Sequence, residues 1–209
     1  RRVGHLSLNM TETVDLGGLV NDFAQAIKRI DQRRPQWGRY QPGIGPHPET
    51  KAVALVVDEL VTLNNERYEG RLKTEVRYAD QSRRKCDLCI GHDPNWEWAI
   101  EVKMLRLMGD NNKPNDNMMT HILSPYPQDR SALTDCTKLI ASGLQGRKAV
   151  LIYGFDYSDA PMDLAIEAFE VLAHREVCLG EKYLDSYNGL VHPVHQSGRV
   201  FAWEISKLE

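Results

Sequence analysis

Residues 96–105 read WEWAIEVKML and predict a central β-strand, because apolar side chains occupy both of its faces. Successive side chains of a strand point to opposite faces, so Glu101 and Lys103 are neighbours on one face and Val102 lies on the other. Burying either charge without a partner is costly. The stretch therefore predicts a buried strand that carries a charged group on one face, and a structural ion pair is one form that this group can take.

Asp87 lies in the preceding predicted strand, residues 85–90, and is flanked by residues typical of a core. If the two strands form a hairpin across residues 91–95, Asp87 comes beside Glu101. Two carboxylates at that distance repel each other unless one is protonated or a cation lies between them. Mg²⁺ commonly binds one or two carboxylates together with water and phosphate oxygens. We therefore predict a Mg²⁺ site held by Asp87 and Glu101, with Lys103 beside it.

This arrangement suits the hydrolysis of a phosphodiester bond. A divalent ion neutralises the phosphate and lowers the pKa of a bound water. Lys103 would point at the reacting phosphate, where it can orient that water and stabilise the additional negative charge of the transition state. The sequence thus predicts Asp87 and Glu101 as metal ligands and Lys103 as the residue that acts on the water.

The rest of the chain predicts helices and strands in an order that builds one mixed sheet. Helices are predicted at residues 16–30, 49–67, 130–144 and 162–175, and strands at 72–78, 85–90, 96–105, 148–155 and 200–205. Three consecutive strands followed by a crossover helix imply an α/β (α+β) fold, with a mixed central sheet flanked by helices. Pro- and Gly-rich residues before position 49 predict a linker or an extended arm. The predicted parts are an N-terminal helix and arm (1–48), a core (49–156), and a C-terminal helix and strand that complete the same domain (157–209).

Composition excludes several classes of protein. The chain has 209 residues, of which 42% are hydrophobic and 26% are charged, which is typical of a globular domain and excludes a disordered chain or a disulfide miniprotein. Its formal net charge of −3 excludes a uniformly basic protein that coats nucleic acid, but allows a local basic patch. The four cysteines are irregularly spaced, which predicts reduced thiols and a cytoplasmic location. No apolar run approaches the roughly 20 residues that span a bilayer, so no membrane partner is expected.

Asp87, followed by Glu-Val-Lys at 101–103 in the next predicted strand, resembles the Asp…(Asp/Glu)-x-Lys signature of the PD-(D/E)xK nuclease superfamily. The resemblance covers residues 49–156, and Cys86 stands where the name of the superfamily has Pro. It implies a restriction-endonuclease-like core with the order helix, three strands, helix, strand. It also implies a Mg²⁺-dependent endonuclease that cuts DNA in restriction, repair or defence, with Mn²⁺ as a substitute ion.

Two further metal ligands are expected from the resemblance alone. The backbone carbonyl of Val102 is expected to bind the ion. Many members of the superfamily also carry an acidic residue in the first core helix, and Glu59 is the first choice here because it lies in the densest apolar part of that helix. Glu66, seven residues further on, is the second choice. The alternative for Glu59 is an ordinary solvated position on the helix.

Four basic residues are candidates for contact with nucleic acid. Arg83 and Arg84 precede the strand of Asp87, Lys113 lies in a long predicted loop (104–128), and Lys138 lies one turn from Asp135 on a predicted helix. The alternatives are a solvated charge run and a solvent-facing Asp135–Lys138 ion pair. The loop is interpreted as one that covers the substrate. DNA is the expected partner, RNA is not excluded, and a homodimer is compatible with the sequence.

Two other interpretations of the sequence stay open. A protein of the same fold without catalytic activity would act as a binding module for nucleic acid or protein. Cys86 and Cys89, together with His192 and His195, have spacings found among zinc ligands. The two cysteines fall on opposite faces of a predicted strand, so a structural zinc bound by these four residues is disfavoured.

Overall fold

The computed structural model describes residues 13–80 and 83–209, so residues 1–12 of the predicted N-terminal part lie outside the described residues. The helices are α1 (Leu16–Gln32), α2 (Glu49–Leu63), α3 (Asn65–Tyr68), α4 (Met118–Leu123), α5 (Ala132–Ile140) and α6 (Asp163–Ala173). The strands are β1 (Leu72–Arg77), β2 (Lys85–His92), β3 (Asn95–Leu105), β4 (Arg147–Phe155), β5 (Cys178–Asn188) and β6 (Ser197–Ser206).

Over the described ranges the strands form one six-stranded sheet in the order β1-β2-β3-β4-β6-β5. The β3–β4 pair is parallel and the other four pairs are antiparallel, so the sheet is mixed. The parallel pair is connected through α4 and α5, as a crossover requires. The prediction of an α+β fold with a mixed central sheet flanked by helices is therefore confirmed. In the part of the chain that the structure describes, no helix is both long and apolar enough to cross a membrane.

Strand β3 separates two hydrophobic cores, as its apolar faces predict. Trp98, Ile100 and Val102 pack into one core together with residues of α1 and α2. Ala99 and Leu105 pack into the other, which contains residues of α4, α5 and α6. Because side chains alternate along a strand, Glu101 and Lys103 belong to the α5 side of the sheet.

Three elements differ from the sequence prediction. The interval 104–128, predicted as a loop, contains the short helix α4. The predicted helix 49–67 is divided at Asn64, whose side chain accepts a hydrogen bond from the Arg67 amide and thereby begins α3. Strand β5 was not predicted, because it is an edge strand with mostly exposed side chains and so has little apolar signal.

Asp31, in the last turn of α1, fastens two loops to that helix. Its side chain is buried, and its Oδ1 accepts a hydrogen bond from the Ile44 amide at 2.9 Å. Its Oδ2 accepts a second hydrogen bond from the Val191 amide at 2.6 Å. One carboxylate therefore connects α1, the Pro- and Gly-rich segment before α2, and the loop between β5 and β6.

Replacing this carboxylate tests its structural role. Asp31→Ala would leave two amides without an acceptor, and each unsatisfied buried group costs about 1–3 kcal/mol. We expect the free energy of unfolding, measured by urea denaturation, to fall by about 2–5 kcal/mol. Asp58→Ala, at an exposed position of α2, should change it by less than about 0.5 kcal/mol. Equal stability of the two variants would contradict the role assigned to Asp31.

Candidate active site

Charged side chains from four elements converge where β2 and β3 meet α2 and α5. Strand β2 contributes Asp87, and β3 contributes Glu101 and Lys103. Helix α2 contributes its first residue, Glu49, and α5 contributes Asp135 and Lys138. The three residues of the predicted catalytic group are thus brought into one cluster, which we call the carboxylate–lysine cluster: Glu49, Asp87, Glu101, Lys103, Asp135 and Lys138.

The predicted hairpin brings Asp87 to Glu101. Strands β2 and β3 are antiparallel, and Leu88 pairs with Ile100. Asp87 directly precedes this paired stretch of β2 and lies close enough to Glu101 for its charge to raise the pKa of that carboxyl. The Oδ2 atom of Asp87 accepts a hydrogen bond from the Val102 amide at 2.8 Å. The Asp87 side chain is therefore held at β3 by a main-chain donor of the same strand that carries Glu101.

Glu101 is the most buried carboxylate of the predicted catalytic group, with 1% of the residue exposed. The Tyr78 hydroxyl donates a hydrogen bond to its Oε1, and Lys138 Nζ lies 3.5 Å from the same oxygen. Burial raises the pKa of Glu101 well above its ordinary value, and the nearby charge of Asp87 raises it further. A divalent cation near both carboxylates would relieve this penalty. The oxygen donors and their excess negative charge fit a hard ion such as Mg²⁺.

Lys103 is held between two carboxylates. Its Nζ lies 2.9 Å from Asp135 Oδ2 and 3.9 Å from Glu49 Oε1. Burial lowers the pKa of Lys103, but the two carboxylates outweigh burial and raise the pKa above its ordinary value. Lys103 is therefore a cation at neutral pH. In that state it can donate hydrogen bonds and stabilise negative charge, but it cannot act as a base.

Glu49 is a site residue that the sequence did not single out. Its Oε2 accepts a hydrogen bond from the Met104 amide at 2.5 Å. Burial raises the pKa of Glu49 to about 7, and the charge of Lys103 opposes that shift. Glu49 and Asp87 line a small cleft of about 150 Å³. Only the docking of α2 against β3 creates this neighbourhood, although the position of Glu49 directly after Pro48 marks the start of the helix.

Asp135 and Lys138 face the cluster rather than solvent. Asp135 is buried, and its Oδ1 lies 2.6 Å from Lys138 Nζ. Because Lys138 also approaches Glu101 and Asp135 also approaches Lys103, the pair connects Glu101 and Lys103 of β3. The alternative of a solvent-facing ion pair is therefore wrong. Burial lowers the pKa of Lys138, but Glu101 and Asp135 outweigh burial and raise it.

Of the other three candidates for nucleic-acid contact, Arg84 approaches the cluster. The Arg84 guanidinium lies 5.7 Å from the centre of the Tyr78 ring, and Lys138 Nζ lies 5.8 Å from the same ring. Arg84 therefore belongs to the edge of the cluster, and its side chain also pairs with Asp80. Arg83 and Lys113 are exposed and lie in the loops before β2 and after β3.

Glu59 lies elsewhere on α2. It is buried and forms ion pairs with Arg29, whose Nε lies 3.4 Å from Glu59 Oε1, and with Arg33. Arg29 lies in the last turn of α1 and Arg33 caps the end of that helix, so Glu59 connects α2 to the C-terminal end of α1. Glu66 is exposed on α3. The acidic residue of α2 that reaches the predicted catalytic group is therefore Glu49.

One group of potential metal ligands in residues 13–80 and 83–209 has three ligand atoms within 4.8 Å of one another. It is formed by Asp110, His192 and His195 and does not include the carboxylate–lysine cluster. Among the described residues, no three carboxylates of that cluster therefore lie within 4.8 Å of one another. Mg²⁺ commonly takes one or two carboxylates from a protein. Cys86 and Cys89 are buried free thiols and do not join the two histidines.

Comparisons of the chain with protein-family models, with curated proteins and with solved structures give no significant match.

The raised pKa of Glu101 predicts a pH-dependent loss of stability. The folded state holds the proton of this carboxyl to higher pH than the unfolded state does, so metal-free protein loses stability as pH rises above the ordinary Glu range. Glu101→Gln keeps an acceptor for Tyr78 and removes the charge. We expect the variant to melt a few degrees above the parent at pH 8 in EDTA, since about 1 kcal/mol corresponds to about 2–4 °C here.

The control for this measurement is Glu167→Gln, at an exposed position of α6. It should leave both Tm and its pH dependence unchanged. A Glu101→Gln variant that melts below the parent at pH 8, or that loses stability with pH as steeply as the parent, would show that the charge of Glu101 is fully compensated by its neighbours.

Proposed function

We propose that this protein is a metal-dependent endonuclease that hydrolyses phosphodiester bonds of DNA. Asp87 and Glu101 would hold Mg²⁺, and Lys103 would orient the attacking water. The observation that carries the proposal is that these three residues meet on two adjacent strands. Lys103 is a cation there, and the charge of Asp87 adds to burial in raising the pKa of the Glu101 carboxyl. Restriction, repair and defence are the settings that such an activity fits.

The architecture supports a restriction-endonuclease-like core. Along the chain, α2 precedes β1, β2 and β3, and α5 and β4 follow. Apart from the short helices α3 and α4, this is the order helix, three strands, helix, strand. The second and third of these strands carry the proposed site, and the crossover helix α5 covers it through Asp135 and Lys138. The proposal therefore does not rest on the short motif alone.

Four groups of this chain are suited to hold the ion. Asp87 and Glu101 provide carboxylates on adjacent strands, and Val102, whose backbone carbonyl is the third group, lies between Glu101 and Lys103 in β3. Glu49 replaces Glu59 as the helix carboxylate in this proposal, because it lines the same cleft as Asp87. Bound there, Mg²⁺, or Mn²⁺ as its substitute, would neutralise the scissile phosphate and acidify a water molecule.

The cationic residues have separate tasks in this proposal. Lys103 is fixed by Asp135 and Glu49, so its ammonium can direct a water and stabilise charge on the phosphate without first being ordered. Lys138 balances Glu101 and Asp135 and keeps Asp135 in place for Lys103. Arg84 lies at the edge of the cluster, and Arg83 and Lys113 are exposed in neighbouring loops of the sequence, where they would contact a phosphate backbone in this proposal. A homodimer would allow both strands of a duplex to be cut.

The second candidate function is a binding module without catalysis. It is favoured by the ion pairs within the cluster, because Lys103 with Asp135 and Lys138 with Glu101 form a network that partly neutralises itself. Such a network can persist as a structural element after activity is lost. Metal binding and cleavage together distinguish the two functions.

A plasmid cleavage assay in Mg²⁺ or Mn²⁺ tests the enzymatic proposal. Lys103→Ala should lower the cleavage rate by about 10²-fold or more, the loss expected for one preorganised donor to the transition state. Its affinity for Mg²⁺, measured by calorimetry, should change little. Asp87→Asn should lower both rate and affinity. Lys28→Ala, at an exposed position of α1, is the control that should cleave like the parent.

Cleavage that survives both Lys103→Ala and Asp87→Asn would remove this site assignment. If the parent cleaves neither DNA nor RNA and binds no Mg²⁺, the binding module is the better description. Cleavage of RNA in preference to DNA would keep the site and change the substrate.

The two acidic residues of α2 provide a further test. Glu49→Gln should weaken Mg²⁺ binding and cleavage, because it removes a carboxylate from the cleft of Asp87. Glu59→Gln should leave Mg²⁺ affinity unchanged and lower Tm, because it weakens the ion pairs between α1 and α2. The reverse pattern would restore Glu59 as the helix carboxylate.

A further inference from the structure

Two histidines and an aspartate meet away from the carboxylate–lysine cluster. His192 and His195 lie in the loop between β5 and β6, and Asp110 lies in the loop after β3. His195 Nε2 is 2.9 Å from Asp110 Oδ1, and His192 Nε2 is 4.0 Å from the same oxygen. The two imidazole rings are stacked, with centroids 4.6 Å apart. Two ring nitrogens and one carboxylate oxygen thus converge on one point.

From this geometry we infer that Asp110, His192 and His195 form a binding site for a divalent transition-metal ion, with Zn²⁺ as the ion best suited to it. Imidazole nitrogen and carboxylate oxygen are ordinary Zn²⁺ ligands, whereas Mg²⁺ prefers oxygen alone. The site is thus chemically distinct from the one proposed at Asp87 and Glu101. It would fasten the loop that follows β3 to the loop between β5 and β6.

The surroundings of His195 fit a metal ligand. Its other nitrogen, Nδ1, lies 2.7 Å from the Tyr157 hydroxyl, and that hydroxyl lies 3.5 Å from the Met108 carbonyl oxygen. If Nδ1 donates to Tyr157 and Tyr157 donates to Met108, the Nε2 lone pair is free to face the ion. Such hydrogen bonds on the far nitrogen are typical of metal-ligating histidines.

Both imidazoles are buried. His192 and His195 are 1% and 0% exposed, and the Phe155 ring lies 5.0 Å from that of His195. Gly45 packs so closely that a Cβ at that position would lie 2.5 Å from the His195 ring. Burial lowers the pKa of both histidines, so each is neutral at pH 7 and in the protonation state that binds metals.

Two features oppose metal binding and limit its strength. His192 Nδ1 accepts long hydrogen bonds from the Val194 and His195 amides, at 3.2 and 3.4 Å, which puts the ring proton on Nε2. For His192 Nε2 to bind the ion, these two hydrogen bonds must break. They contribute far less free energy than a bond between the imidazole and a transition-metal ion. Arg106 Nη1 lies 3.9 Å from Asp110 Oδ1, but it donates its hydrogen bond to the Gly45 carbonyl. Its charge weakens the site without occupying it.

The alternative is a network of hydrogen bonds that needs no ion. In that case His195 Nε2 donates to Asp110 and Tyr157 donates to His195 Nδ1. Neutral Asn in place of Asp110 would keep an acceptor for His195, so Asp110→Asn is tolerated under both interpretations and changes only the affinity for a cation. This makes it the most informative substitution.

The test is a titration of the chelator-treated, tag-free full chain with Zn²⁺. Cys178→Ser serves as the background, because Cys178 is an exposed thiol that would bind Zn²⁺ by itself. We expect one Zn²⁺ per chain by native mass spectrometry and a rise in Tm of about 5–10 °C at a hundredfold excess over Kd. Asp110→Asn and His192→Gln should abolish the rise. His92→Gln, at an exposed position of β2, and Asp87→Asn should retain it.

Absence of bound Zn²⁺, or a rise in Tm that survives both Asp110→Asn and His192→Gln, would overturn the proposal. Loss of the rise in Asp87→Asn would also overturn it, since Zn²⁺ would then bind at the other site. Co²⁺ added to the parent is a second probe, and its result does not depend on the folding of any variant. Visible bands of low-symmetry Co²⁺ without a thiolate charge-transfer band support the site, and a thiolate band or no spectrum contradicts it.

Discussion

The buried carboxylate of Glu101 is the constraint on which the rest of the site depends. A charge inside a sheet, covered by α5, must be matched by neighbours or by a cation. Tyr78 and Lys138 meet one oxygen of Glu101, and Lys138 in turn approaches Asp135, which holds Lys103. The strand β3 therefore fixes charges of both signs in one place. Asp87 adds a second carboxylate, and the resulting excess of negative charge is what a divalent ion would offset.

The core of this arrangement could be predicted from the sequence because it depends on local geometry. Alternation along β3 put Glu101 and Lys103 on one face, and a short turn between adjacent strands brought Asp87 close to Glu101. Contributions from helices could not be predicted in the same way. Glu59 looked central because its neighbours are apolar, but that side of α2 meets α1, and Glu49 reaches the site only through the docking of α2 on β3.

The group formed by Asp110, His192 and His195 could likewise be predicted only in part, because its members are far apart in the sequence. The spacing of His192 and His195 indicated a pair of ligands, but their partner in the structure is Asp110 rather than a cysteine. Asp31 helps to place this pair, because it holds the Val191 amide next to His192. A buried aspartate in α1 and a loop after β3 thus define a site that no local sequence pattern contains. The two proposed sites differ in donor chemistry. The carboxylate oxygens of Asp87 and Glu101 suit a hard catalytic ion, whereas the histidine nitrogens of the other proposed site suit a structural transition-metal ion.

The most direct test of the central claim is a crystal structure of the protein soaked in Mn²⁺ and measured at the manganese absorption edge. The proposed site predicts an anomalous peak between Asp87 and Glu101, with oxygen ligands from both side chains at about 2.1 Å, near the distance typical of Mg²⁺. Lys103 should then lie beside the ion and remain paired with Asp135. If Asp87 and Glu101 carry no peak and lie too far apart to share an ion, the account of this cluster as a catalytic metal site is contradicted.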